Sequence, residues 1–138
     1  MWSMRLRMAS DTRGDMAEAA VTLPVVLLAA LLMINGAMAG FAAVNAANAA
    51  NMGARMGSVA QGNAVAVAVA AAQDALSHAP VGTYRVRAWG GGAPGVPIVV
   101  QVEWEVPSFL GGLTAFFGRA GPAKFSGTAT AVWRGEGW

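Results

Sequence analysis

The sequence predicts an α+β protein: a long N-terminal helix, membrane-spanning in its first half, followed by a small antiparallel three-stranded sheet with a short helix. Three observations carry this. No Asp, Glu, Lys or Arg occurs between Ala19 and Ala54. Ala79-Pro80 and then Gly82 interrupt the chain with residues that cannot continue a helix. Beyond them, the apolar residues change from the helical period to strict alternation.

The composition bounds the class. At 138 residues there is room for one domain, or for one long helix and a small domain. Hydrophobic residues make up 56% and charged ones 12%, too apolar for an ordinary soluble protein of this size. The net charge is only +2, and beyond Arg5, Arg7 and Arg13 the basic residues are scattered. Nucleic-acid binders gather Lys and Arg on one face to meet phosphates, so no nucleic-acid partner is expected. The absence of cysteine excludes disulfides, thiolate metal sites and cysteine nucleophiles. The outer part must then be held by packing, and about 60 residues make a marginal core by themselves.

Residues 1–18 form a polar head, of which 1–14 read as a cytoplasmic leader. The run Ala19–Val44, with Thr22 and Asn35 its only polar side chains, is the expected transmembrane stretch. As a helix it is about 39 Å long, enough to cross a bilayer core of about 30 Å. Three arginines precede it and only Arg55 follows closely, so the positive-inside bias predicts a single pass with the N-terminus inside and the C-terminus outside.

The segment Asn45–Ser77 is dominated by Ala, Asn, Gly and Val and reads as a continuation of the same helix, which would then cover 15–78. Val65, Val67 and Val69 alternate as a strand would and leave one ambiguity. Asn45, Asn48 and Asn51 recur every three residues as a polar stripe. Gly36-x-x-x-Gly40 and Gly53-x-x-x-Gly57 are small-residue pairs that let helices approach closely, and are candidate assembly contacts.

Residues 79–138 read as an extracytoplasmic, β-rich domain. Tyr84, Val86 and Ala88 alternate with Arg85, Arg87 and Trp89. After the loop Gly90–Pro97, Ile98, Val100, Val102, Trp104 and Val106 alternate with Val99, Gln101, Glu103 and Glu105. This is a hairpin with one apolar and one charged face. Pro107-Ser108 then predicts a short helix with Ser108 as N-cap and Phe109, Leu110, Leu113, Phe116 and Phe117 on one side. Past Gly118–Pro122, a third strand is expected from about Lys124 to Arg134, with Phe125, Ala129, Ala131 and Trp133 on one face.

Chemical motifs are few. Gly90-x-Gly92-x-x-Gly95 matches the dinucleotide fingerprint in letters, but that motif needs a following helix to receive the pyrophosphate, and here Pro94 and Pro97 lead into a strand. His78 is the only histidine and sits at a predicted helix end, where an imidazole suits the dipole. Glu103 and Glu105 balance Arg85 and Arg87 across the hairpin more simply than they form an acid/base pair. No catalytic, metal or cofactor residue stands out, and no enzyme activity, cofactor or small-molecule substrate is expected.

The informative stretch is Arg13-Gly14-Asp15-Met16-Ala17-Glu18, followed by the apolar run with Pro24. It resembles the class III, type IV-like prepilin signal, in which a basic leader ends in glycine and a glutamate follows just inside the mature helix. More closely, the chain looks like the TadE-like minor pseudopilins of tight-adherence pili, whose helix carries a proline six positions after the glutamate. Glu18 and Pro24 keep that interval, although Gly14 lies four positions before Glu18 where the usual spacing is five. Short stretches similar to that family recur in Asn48–Arg55, Val100–Pro107 and Ser126–Arg134. The resemblance implies cleavage between Gly14 and Asp15 by a prepilin peptidase, then assembly with other pilin-like subunits through the helix, Glu18 and Pro24 included.

A physical argument for Glu18 stands apart from the resemblance. A carboxylate at the edge of a membrane helix is costly unless paired, and cleavage after Gly14 would create an ammonium at Asp15 for it to neutralise. The simpler alternative is an acid favoured by the helix dipole near the N-terminus. Two other readings of the chain stay open. One is a secreted binding domain behind an ordinary signal peptide, with helix-weakening Asn35-Gly36 and cleavage after Ala37-Met38-Ala39. The other is an uncleaved signal anchor.

Overall fold

In the computed structural model of the chain, residues 12–116, 118, 119, 121 and 124–136 are described. Most of the expected leader with Arg5 and Arg7, together with Phe117 and Pro122, lies outside the described residues. The elements are α1 (Thr12–Ser58), α2 (Ala64–Leu76), β1 (Thr83–Gly90), β2 (Pro97–Pro107), α3 (Leu110–Phe116) and β3 (Lys124–Arg134). The α+β class, the long apolar helix and the three-stranded antiparallel sheet are as expected from sequence. The chain divides into two compact units, Met1–Ile34 and Asn35–Trp138.

The first unit is helical over its described part, with most of its large apolar side chains from Met16 to Ile34 exposed. Pro24 lies inside this helix. Having no N–H, it leaves the Ala20 carbonyl without its usual partner four residues on.

The second unit differs from the predicted domain of residues 79–138, because it begins at Asn35 and includes the rest of α1 and all of α2. The single helix predicted over 15–78 is two helices. Ser58 ends α1, its hydroxyl donating back to the Arg55 carbonyl at 2.8 Å. Gly62 then takes φ 118, a left-handed value that favours glycine. Asn63 starts α2 as N-cap, its side-chain oxygen accepting from the Ala66 N–H at 3.1 Å. The Val65, Val67, Val69 alternation is therefore helical, and Ala64, Ala68 and Ala72, spaced by four, are the buried stripe.

The two helices form an antiparallel hairpin within this unit. A Cβ placed on Gly53 would stand 2.6 Å from the Ala68 carbonyl oxygen and 3.0 Å from the Ala72 Cβ, and one on Gly57 would stand 2.8 Å from the Ala68 Cβ. Beneath them lies the apolar sheet face. The core joins Ala46, Ala49, Ala50 and Ala54 of α1 and the three alanines of α2 to Ile98, Val100 and Val102 of β2 and Ala131 of β3. Alanine and glycine on the helices let backbones approach the sheet, while the branched residues of β2 supply most of the apolar volume.

The sheet order is β1-β2-β3, with β2 central. Tyr84 pairs with Trp104, Val86 with Val102 and Ala88 with Val100, as the alternation requires. The predicted third strand is β3, with Ala129 opposite Val102 and Ala131 opposite Val100. The Gly90–Gly95 motif is the hairpin turn: Gly90 has φ 86, and a side chain there would run into the Pro97 carbonyl. Trp104 is only half-buried, because it sits opposite Gly127 and spreads its indole over that glycine near one end of the sheet.

On the outer face the charge pairing differs from expectation in one respect. Glu103 meets both Arg85 and Arg87 at 3.5 Å. Glu105 turns to Lys124 of β3, which comes within reach because β3 runs antiparallel beside β2. These are exposed pairs, worth about 0–1 kcal/mol. Glu103→Ala is expected to lower the urea midpoint of the unit only within that range. A larger loss would mean that the charged row is structural.

The N-cap of α3 is a second correction. Ser108 was the predicted cap, yet its buried hydroxyl makes no hydrogen bond among the described residues. The Phe109 N–H donates instead to the Oδ1 of Asn35, 74 positions earlier in the chain, at 3.1 Å. Helix α3 starts one residue later, and so the acceptor at its entrance comes from α1.

Candidate functional site

Helix α1 carries nearly every residue to which the sequence assigns a role. It is long and apolar enough to cross a membrane, and its most apolar 18-residue window is 0% buried. Residues Met16–Ile34 correspond to about 28 Å of helix, close to the bilayer core of about 30 Å. The expected span to Val44 is not uniformly free: from Asn35 onward the helix belongs to the sheet-bearing unit, and Asn35 and Ala42 are buried.

The described part of α1 runs from Thr12, so Gly14 and Asp15 are helical residues and not part of an extended leader. Asp15 is an acid in the first described turn, and Glu18 is exposed one turn further on.

The two glycine pairs divide. Gly53 and Gly57 are already occupied within the chain by α2, so they are not free for another helix. Gly36 and Gly40 are exposed, and a Cβ on either would meet nothing within 4 Å. On the same helix Phe41, Val44, Met52 and Met56 are exposed apolar side chains. The asparagine stripe runs obliquely across this side: Asn48 and Asn51 are exposed, and the Asn51 amide donates to the Ala47 carbonyl at 2.9 Å.

Elsewhere, an open depression of about 350 Å³ lies on the outer sheet face over Gly127, between Arg85, Glu103, Glu105 and Thr128. His78 is exposed, with Nδ1 2.9 Å from the Ser77 hydroxyl. Among the described residues no group of three or more His, Cys, Asp or Glu could hold a metal ion.

Sequence reasoning missed Asn35 as a positioning residue. Its signal was visible, a carboxamide in an otherwise apolar run, but its partner across the fold was not. No protein-family model, curated protein or solved structure matches this chain.

Proposed function

We propose that the chain is a minor pilin-like subunit of a tight-adherence pilus or a related secretion apparatus. A prepilin peptidase cuts it after Gly14, and it assembles with other pilin-like subunits by helix packing in and above the cytoplasmic membrane. The observation that carries this reading is the continuity of α1. One helix runs from the exposed apolar stretch into the alanine core of the sheet-bearing unit. An anchor that is also a core element supports a subunit meant to keep its helix, as the TadE-like resemblance implies.

The same observation weighs against a secreted domain. Cleavage after Ala39 would cut α1 within its helical length and remove Asn35, which accepts the Phe109 N–H. Gly36 and Gly40, with Phe41 and Val44 beside them, are the surface on which a neighbouring helix would close in this proposal. Glu18 then meets the new amine of Asp15 on its own or a neighbouring subunit.

N-terminal sequencing of the native protein tests the reading. A start at Asp15 is expected, Gly14→Leu should leave the full-length precursor in the membrane, and Ala39→Leu should leave the mature size unchanged. A start at Gly40 would instead mean a secreted domain, and an intact Met1 an uncleaved anchor. Glu18→Ala is expected to permit cleavage yet reduce recovery of the subunit in the assembly.

A further inference from the structure

We propose that the segment Phe109–Ala115, the entrance and body of α3, lies in the lipid–water interface of the bilayer. The inference rests on the membrane reading of residues 16–34 and adds a second lipid contact, made by the sheet-bearing unit itself. The first argument is attachment. Asn35 is the first residue of that unit, it is 2% exposed, and its Oδ1 holds the Phe109 N–H at 3.1 Å. The start of α3 is thereby fixed to the end of the unit from which the chain leaves for the apolar stretch. That stretch already accounts for about the full thickness of a bilayer core, so Asn35 falls at its boundary.

The second argument is chemistry. Between Glu105 and Arg119 the chain carries no charged residue. Phe109 is 50% exposed, Gly112 and Ala115 are exposed, and Phe41, less than two turns past Asn35 on α1, is 64% exposed. Two phenyl rings exposed on this unit, one bonded through its backbone to Asn35 and one within two turns of it on α1, are better accommodated near the boundary of the acyl chains than in water. Arg119, exposed just after α3, suits the anionic headgroups above that level.

The third argument is stability. A seven-residue helix containing Gly111 and Gly112 is far below the length that holds itself in water, and the N–H at its entrance is held from outside by Asn35. An apolar surface under it supplies what its length does not.

The chain has no cysteine, so single-cysteine spin labels read one site at a time. Full-length protein in phosphatidylcholine vesicles doped with phosphatidylglycerol is labelled at Gly112→Cys or Ala115→Cys. Leu28→Cys serves as the bilayer reference and Thr130→Cys, on the outer sheet face, as the aqueous one. Gly112 has open space around it and the other three positions are exposed, so the labels should not disturb folding. The ratio of oxygen to nickel-chelate accessibility at 112 and 115 is expected to rise several-fold above that at 130 and to stay below that at 28. A lipid-like Leu28 with 112 and 115 matching Thr130 overturns this inference and leaves the membrane reading standing. Labels at 112 and 115 shielded from both relaxants would mean a protein neighbour, which also overturns it. An aqueous Leu28 overturns the membrane reading and this inference together.

Discussion

Gly53→Leu is expected to unfold the sheet-bearing unit. The Cβ alone would come within 2.6 Å of the Ala68 carbonyl oxygen and 3.0 Å of the Ala72 Cβ. The first of these is backbone and cannot swing aside, so α2 must move as a body and leave the sheet face it covers. Overpacking of this kind costs about 1–3 kcal/mol and occasionally more. A whole domain is stable by only about 5–15 kcal/mol, and a small unit built on alanine has little in reserve. Gly36→Ala and Gly40→Ala are the controls, since nothing lies within 4 Å of the new methyl. They should leave the fold intact or add about 0.5–1 kcal/mol through lower backbone entropy in the unfolded chain. Tryptophan fluorescence during urea unfolding of the full chain in detergent reads all three, because Trp104 sits in the sheet. An unchanged midpoint for Gly53→Leu would show that α1 and α2 do not make this contact. A helix-assembly defect in Gly40→Ala at unchanged stability would support the open pair as the intersubunit surface.

The sheet was readable because alternation is a strong, local signal. Once Tyr84, Val86 and Ala88 face inward, the partners Trp104, Val102 and Val100 follow from one hairpin turn. The long helix was readable from the uncharged run alone. The break at residues 59–63 was not, because alanine-rich sequence on both sides has high helix propensity and the interruption is made by Gly62 and Asn63. Glycine spacing shows that a backbone can approach, not whose: Gly53 and Gly57 serve the chain's own α2, whereas Gly36 and Gly40 remain open. Alternation likewise gives the facing of Trp104 but not its depth, which depends on Gly127 across the strand. The Asn35–Phe109 hydrogen bond lay beyond any local rule, and with it the placement of α3.

Ile98→Ala should be the most damaging truncation in the sheet, above Trp104→Ala and well above Glu103→Ala. Ile98 is fully buried and pairs with Gly90 on one side and Trp133 on the other. Its side chain also fills the space left by two glycines: Cγ1 lies 3.2 Å from where a Cβ on Gly57 would be, and Cδ1 lies 3.3 Å from where one on Gly91 would be. One isoleucine therefore joins the last turn of α1, the hairpin loop and the central strand. Burying an isoleucine and then truncating it costs about 2–5 kcal/mol, with the upper end reached where the site cannot collapse. Collapse is poor on two sides, because Gly57 and Gly91 present backbone there and have no side chain to lean in. Trp104 is larger, but it is only partly buried at the edge of the core, so its loss should fall short of the about 3–5 kcal/mol of a fully buried tryptophan. Ile98→Val, which keeps the branch at Cβ, should cost only about 0.5–1.5 kcal/mol. Urea midpoints at constant slope give the order directly. Should Trp104→Ala prove worse than Ile98→Ala, the weight of the core would lie at the Gly127 end of the sheet and not where α1 meets the hairpin loop.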